Sequence, residues 1–404
     1  MSTAAEQLRV LSAGAEQVLP AEEFTRLVAA AAEGRRPPLR AKLGLDPTRP
    51  DIHLGHTVQL RKLRDFQRYG HTAVLIIGGF TAQVGDPSGR STARPRLTAE
   101  EVAANAATYL EQAGKVLLPE PLEVLDNSAW LASMTLPDVL GLMAQMTVAR
   151  MLERSDFAAR YRSGKPIAIS EFLYPLLQGQ DSVAVRSDVE VGGTDQTFNL
   201  LVGRELQAAA GQSPQCVLTL PLLEGTDGVA KMSKTADNVI GIDDPPAEMF
   251  GKVMRIPDGL IVKYLRLVTD LLPHEVDVVA AGLADGTAHP GEAKRRLARE
   301  VVVSLHDTDA ASAAEARFNT QFRDRDVPAD VPEFDLGGTD PWFLPSLLVA
   351  AQLASSGSDA RRKVSDGAVR LDGTILEDPT ADLPSDALRG RVLQVGRRRY
   401  ARLR

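Results

Sequence analysis

The 404-residue sequence predicts an α/β protein: a parallel-sheet domain first, a helical region next, and a small α+β module at the end. Three observations carry this. Apolar, β-rich runs alternate with helix-period segments up to about residue 225, strand-like runs are lacking from 246 to 325, and short helices and strands return in the last 60 residues.

Each element follows from local pattern. An amphipathic segment, EEFTRLVAAAAEG, precedes a break at Pro37 and Pro38. LRAKLGLD then reads as a buried strand ending in a turn at DPTRPD. A helix is expected from about His53 to Tyr69, with Leu54, Val58, Leu63 and Phe66 on its core face and Gly70 placed to end it. TAVLIIGG is the next apolar run. Strand, helix and strand within some 40 residues make a right-handed parallel unit, so DPTRPDIHLGH belongs at the carboxyl edge of the sheet, where such folds bind ligands. Farther on, EPLEVLDN, SDVEVGG and QCVLTLPLL read as strands, and PDVLGLMAQMTVARML and the EFLYPLLQGQDS region as helices. EAKRRLAREVVVSLH is the clearest helix of the strand-free region. DRDVPADVPEFDLGGTDP, acidic and proline-punctuated, reads as a linker, and VRLDGTIL carries a DG turn inside the closing module. The expected division is 1–225 for the sheet domain, 226–245 for a loop and connector, 246–325 for the helical domain, 326–341 for the linker and 342–404 for the module.

Composition bounds the function. With 44% apolar and 25% charged residues the chain is an ordinary globular protein, long enough for two or three domains. A single cysteine, Cys216, excludes an internal disulfide framework and fits a reducing cytoplasm. Neither an apolar run of membrane-spanning length nor an apolar signal core is present, so a cytoplasmic protein without a membrane span is expected. The net charge of -7 argues against nonspecific nucleic-acid binding by the whole molecule. Charge is uneven, however: from Trp342 onward the balance is +4, leaving -11 before it, and the last fourteen residues hold six arginines and no acid. A polyanion is expected to meet this end.

Two short stretches carry chemistry. In HLGH, His53 and His56 lie three apart at a helix N-terminus, where unpaired backbone N–H groups and partial positive charge suit phosphate. Gly55 between them leaves room for a flat ring against the backbone. A pair of surface or core histidines is the bland alternative, and zinc is disfavoured because HxxH lacks the spacing and third ligand of metalloproteases. In KMSKT, Lys231 and Lys234 flank Ser233 in a glycine-fringed loop that can close over a polyphosphate, although taken alone it reads equally as a solvated loop.

Together the two stretches resemble the paired signatures of class I aminoacyl-tRNA synthetases. GLDPT, GDPSGR, YPLLQGQD and VGGTDQ extend the likeness to the bacterial tyrosyl subfamily, from about residue 39 to the C-terminus, where SDARRKVSDGAVRLDG and LQVGRRRYARL are similar to a small RNA-binding module. The resemblance implies a Rossmann-like catalytic domain, a helical anticodon-binding domain, and a substrate set of ATP, L-tyrosine and tRNA(Tyr) in a homodimer. Magnesium is expected to ride on ATP rather than in a protein cage.

The resemblance also assigns roles. Thr48, His53, His56, Lys231, Lys234 and Thr235 would act on the phosphates, and Arg90 and Arg94 would reach the leaving pyrophosphate. Adenosine would lie on Gly55, Leu222 and Leu223, with Asp195 on the ribose and Gly192 and Gly193 allowing close approach. Asp181 would accept the phenolic proton, while Gly44, Asp46, Asp86, Tyr174, Gln178 and Gln196 surround the rest of the amino acid. A buried acceptor left unpaired rejects phenylalanine, a discrimination for which tyrosyl enzymes are themselves the standard example. Lys42 stands where the best-known branch has a tyrosine that touches the phenol; it can donate to the phenol, pair with Asp181 or point elsewhere. Arg361, Arg362, Lys363, Arg397, Arg398 and Arg399, with Tyr400, would grip RNA. The rivals are a tryptophanyl-type or other class I adenylate-forming enzyme, a nucleotidyltransferase sharing HxGH, and an RNA-binding protein that kept the fold and lost catalysis.

Overall fold

A computed structural model describes residues 3–88, 97–233, 236–322, 331–396 and 399–404. The chain divides into two compact units, Met1–Phe318 and Asn319–Arg404.

The first unit is built on a six-stranded sheet: β1 (Gln17–Leu19), β2 (Arg40–Leu45), β3 (Thr72–Ile77), β4 (Leu122–Asp126), β5 (Val189–Gly193) and β6 (Cys216–Leu220). The order is β1-β6-β5-β2-β3-β4, parallel throughout except for β1, which runs antiparallel to β6. β2, β3 and β4 progress toward one edge, and β5 and β6 fill the other side. The order therefore reverses between β2 and β5, which opens a crevice at the carboxyl ends of those two strands. β3, β5 and β6 are apolar almost throughout because helices cover both faces. β1 has no sequence signal; three half-exposed residues pair at the edge only because β6 presents a free side.

Helix Leu54–Arg68 crosses from β2 to β3 and buries Leu54, Val58, Leu63 and Phe66. Tyr69 ends it, and Gly70 takes φ +78°, the left-handed turn that glycine adopts without strain. The stretch PDVLGLMAQMTVARML, expected as one helix, is two: Leu136–Met143 and Val148–Met151. Thr147 breaks the run by capping the second helix, its side chain accepting from the Arg150 amide at 3.1 Å. Helices from Pro246 onward place Phe250, Tyr264 and Leu297 in the same core as Leu43, Leu63 and Phe66, so the helical region shares the sheet's core.

The second unit has its own core around Leu344, Leu347, Leu393 and Leu403. Its strands are β7 (Glu333–Phe334), β8 (Trp342–Phe343), β9 (Val369–Leu371), β10 (Thr374–Ile375), β11 (Asp382–Leu383), β12 (Val392–Val395) and β13 (Arg399–Leu403). Five of them form a sheet in the order β10-β9-β12-β13-β7, and β11 pairs with β8. The DG turn joins β9 and β10 with Asp372 at φ 46° and Gly373 at φ 84°, the two positive angles of a tight hairpin. Part of the stretch read as a linker is structured: β7 pairs in parallel with β13, and Val331 and Leu336 are buried. Proline and acid composition hid an apolar alternation there.

Candidate active site

A cavity of about 330 Å³ opens where the strand order reverses. Its wall gathers Thr48, His53, Gly55, His56, Leu222, Leu223, Lys231, Gly192, Gly193 and Asp195 at one end, and Gly44, Asp46, Asp86, Tyr174, Gln178, Asp181 and Gln196 at the other. These are the described residues expected around a nucleotide and an amino acid, with the exception of Lys42. Arg90, Arg94, Lys234 and Thr235 lie outside the described residues.

At the first end the imidazoles are locked by the helix they begin. His53 is the N-cap: its Nδ1 accepts from the Gly55 amide at 3.2 Å, while the Nδ1 of His56 accepts from the His53 amide at 3.2 Å. Both Nδ1 atoms are acceptors, so the proton of each neutral ring sits on Nε2. Burial, with the neighbouring charges of His56 and Lys231, pushes His53 down to about 2; burial likewise brings His56 to about 4. At neutral pH the pair offers two N–H donors at a helix N-terminus, their rings 4.0 Å apart, and carries no charge that water must screen. A Cβ on Gly55 would stand 3.0 Å from the His53 ring, so the glycine also keeps that ring in place.

Opposite them, Lys231 reaches Asp195 at 3.0 Å from a half-exposed position. Its loop is anchored by two residues that no local sequence signal singles out. Met232 is buried in the core, and Asn238 accepts from the Ser233 amide at 2.8 Å and donates to Asp227 at 2.9 Å. Gly192 and Gly193 earn their place through protein contacts: a Cβ would meet Leu200 at 2.9 Å in the first case and Asp195 at 2.7 Å in the second.

At the other end, Asp181 is buried on helix Ile169–Val185 with both oxygens engaged. Trp130 Nε1 donates to one at 2.9 Å and Asn127 Nδ2 to the other at 3.2 Å. Burial, opposed by Lys42 and these donors, raises the acid to about 7. Tyr174 donates to Asp46 at 2.8 Å, Gln196 donates to Asp86 at 2.9 Å, and Asn199 bridges the side-chain oxygens of Gln178 and Gln196 at 3.1 and 2.9 Å. Asn127, Trp130 and Asn199 were missed. The one available signal was that Asn127 follows β4 at the ligand-binding edge of the sheet.

Of the three alternatives for Lys42, the structure takes the last, and Lys42 does not line the cavity as a tyrosine-binding residue would. Its ammonium is fully buried and pairs with Glu190 at 2.8 Å, with further bonds to Ser182 and the Gln178 carbonyl and none to Asp181. A charge buried this completely needs a partner of opposite sign, and Glu190 supplies it.

In the second unit, Arg362 and Lys363 both bond to Asp359, Arg361 lies over the Phe343 ring at 5.8 Å, and Arg399 opens β13. Arg397 and Arg398 lie outside the described residues.

The family described as tRNA synthetases class I (W and Y) matches residues 35–323. Within it, the tyrosine–tRNA ligase of Moorella thermoacetica is 50% identical over 99% of this chain and 96% of its own length. The chain belongs to the tyrosyl-tRNA synthetase family. The corresponding ligase of Thermotoga maritima is 48% identical over 99% of this chain and 98% of its own. Among solved structures, the tyrosyl-tRNA synthetase of Archaeoglobus fulgidus complexed with L-tyrosine is 25% identical, with a TM-score of 0.64 over 76% of this chain and 99% of that one. A C-terminally truncated mitochondrial tyrosyl-tRNA synthetase from Aspergillus nidulans shares the fold at a TM-score of 0.65 and 23% identity, over 80% of this chain and 95% of that one. A class I tyrosyl-tRNA synthetase takes ATP.

Proposed function

We propose that the cavity activates L-tyrosine with ATP and that the tyrosyl group then passes to the 3′-terminal ribose of tRNA(Tyr). The observation that carries the choice of tyrosine is Asp181, a buried carboxylate in the cavity wall, oriented by Trp130 and Asn127. A phenol hydroxyl satisfies its remaining acceptor capacity; phenylalanine leaves it unmet, at a cost of about 1–3 kcal/mol or more for a charged group.

In the first step a carboxylate oxygen of tyrosine attacks the α-phosphorus, the bond to the bridging β-phosphate oxygen breaks, and pyrophosphate leaves with the electron pair. The carboxylate is already ionised, so the reaction needs no general base; it needs orientation and stabilisation of charge on the phosphates. Thr48 and the Nε2–H groups of His53 and His56 donate to the phosphates from the helix side, and Lys231, Lys234 and Thr235 act from the loop side, with Arg90 and Arg94 on pyrophosphate. Lys231 exchanges Asp195 for phosphate, which frees Asp195 for the ribose hydroxyls. Adenosine packs on Gly55, Leu222 and Leu223, and the amino acid's ammonium group meets Asp86, Tyr174, Gln178 and Gln196. Magnesium enters on the triphosphate as part of the substrate. In the second step a ribose hydroxyl of tRNA attacks the acyl carbon and AMP leaves.

The second unit, with Arg361, Arg362, Lys363 and the Arg397–Arg399 run, binds tRNA. The acidic Asp359 beside two of these cations leaves Arg361 and the arginine run as the stronger phosphate contacts. The chain acts as a homodimer; Leu136, Leu140, Val148 and Ile169, between 56% and 73% exposed on three helices, support an apolar interface. No described helix is long and apolar enough to cross a membrane, and the cytoplasm is where its tRNA is charged.

ATP–pyrophosphate exchange driven by each amino acid tests the assignment. Exchange with tyrosine and none with tryptophan or phenylalanine is expected; tryptophan-driven exchange would replace the assignment with the other branch of the family.

A further inference from the structure

β2 and β5 adjoin at the reversal of strand order, and each carries one fully buried charge in an apolar run, Lys42 in β2 and Glu190 in β5. The two are register partners across the parallel pair, and their side chains, 0% and 1% exposed, close an ion pair at 2.8 Å. Lys42 Nζ also donates to Ser182 Oγ at 2.7 Å and to the Gln178 carbonyl at 3.2 Å. Ser182 Oγ donates to Glu190 at 3.0 Å, and Gln215 Nε2 donates to the same carboxylate. Gln178 and Ser182 bracket Asp181 on helix Ile169–Val185, so the pair fastens the turn that carries Asp181 to the sheet beneath it.

A buried ion pair is a poor device for stability alone, because desolvation costs about as much as the attraction returns, and apolar replacements are often neutral or stabilising. Here it lies under the one carboxylate that must be ionised to accept a phenol proton. We propose that Lys42 and Glu190 form a positioning pair for tyrosine recognition: they hold the helix turn that bears Asp181 and set the charge of the cleft floor so that Asp181 accepts the phenol at neutral pH. Lys42 does so without touching the amino acid.

Among the described residues, the groups facing Asp181 are few. From β2 comes Lys42, which favours its ionised form, and from β5 comes Glu190, which opposes it. From the segment after β4 come the neutral donors Asn127 and Trp130. Asp46, at the end of β2, is reached through Thr81, which accepts from Asn127 at 3.0 Å and donates to Asp46 at 2.7 Å; Tyr174, on the helix of Asp181, also donates to Asp46. Removing the lysine charge and removing the glutamate charge therefore push Asp181 in opposite directions, which a scaffolding role does not do.

The inference rests on Asp181 as the phenol acceptor, and the experiment separates the two. The pH dependence of kcat/KM for tyrosine is measured by ATP–pyrophosphate exchange on the full chain and on Asp181→Asn, Lys42→Met and Glu190→Gln. The acidic limb of the profile belongs to the free enzyme's acceptor. Lys42→Met is expected to move that limb to higher pH by about one unit or more, Glu190→Gln to move it to lower pH, and both to alter KM for tyrosine more than kcat. Glu190→Gln is nearly isosteric and keeps the test open should Lys42→Met fold poorly. If Asp181→Asn abolishes the limb but neither other variant moves it, or both move it the same way, the pair is scaffold and the proposal fails. A limb that survives in Asp181→Asn would overturn the assignment of Asp181 instead.

Discussion

At the phenol end of the cleft, Asp181 is 3% exposed and each of its oxygens already accepts a fixed N–H donor. At the nucleotide end, His53 and His56 are fixed by the backbone of the helix they begin, while Lys231 comes over from a half-exposed loop and rests on Asp195. On the proposed roles, the phenol end is set by protein contacts alone, whereas the nucleotide end has one preset side and one that exchanges Asp195 for phosphate. The difference matches the chemistry. Selecting tyrosine is a ground-state task that benefits from a rigid buried acceptor; stabilising a transferring phosphoryl group benefits from donors whose best contacts form only in the transition state.

The largest expected effect attacks the preset side of the nucleotide end. His53→Asn keeps a good N-cap but loses the Nε2–H donor. Stopped-flow formation of the adenylate is expected to slow by about 10²–10³ with folding retained. A rate within a few-fold of the parent would mean that the histidine serves the helix and not the phosphate.

A second test uses the opposite electrostatics of the two ends. His53, His56 and His71 are all held below their ordinary value by burial, so between about pH 4 and 6.5 the unfolded chain binds up to three protons that the folded one does not, the difference being largest near pH 5. Asp181, raised to about 7, binds one in the folded state over much of that window and offsets part of the loss. The net, between one and two protons over this interval, predicts that stability falls by roughly 2 kcal/mol per pH unit on acidification from 6 to 5. Urea unfolding at the two pH values measures it, and stability that stays level or rises toward acid would show that the imidazoles are not neutral in the folded protein.

The adaptable side comes next in size. Lys231→Ala and Lys234→Ala are each expected to slow adenylate formation about tenfold or more while ATP affinity changes little, as read from single-turnover rates against ATP concentration. Equal losses in rate and affinity would make the loop a ground-state binder and erase the contrast between the two sides. The smallest effect sharpens the comparison by removing what neither end needs. Truncation after residue 330 is expected to leave exchange within about twofold while tRNA charging falls. The cut belongs at 330 and not at 341 because β7 pairs with β13 inside the second core. A collapse of exchange would give the second unit a structural role in the catalytic one.

Much of this was legible in the sequence. The alternation of apolar runs with helix-period segments gave the parallel unit, and HLGH, YPLLQGQD and VGGTDQ placed residues that the structure does bring to one cavity. Those stretches work at short range: a glycine, a cap and a polar tip lie within a few residues of one another. What escaped depends on distant partners. Lys42 could not be placed without Glu190, nearly 150 positions away, because a charge in a strand says only that some partner exists. Trp130 and Asn127 matter through Asp181, about 50 residues on, and nothing in their own neighbourhood distinguishes them from packing residues. β1 and β7 were missed because edge strands of two or three residues draw their order from a neighbour and carry no period of their own.

The contrast between the ends turns on whether the buried carboxylate reads the phenol. The direct measurement is the ratio of kcat/KM for tyrosine to that for phenylalanine in pyrophosphate exchange, for the parent chain and for Asp181→Asn. A ratio that collapses by two or more orders of magnitude, mostly through tyrosine, is what this account predicts; a ratio that survives the substitution would contradict it.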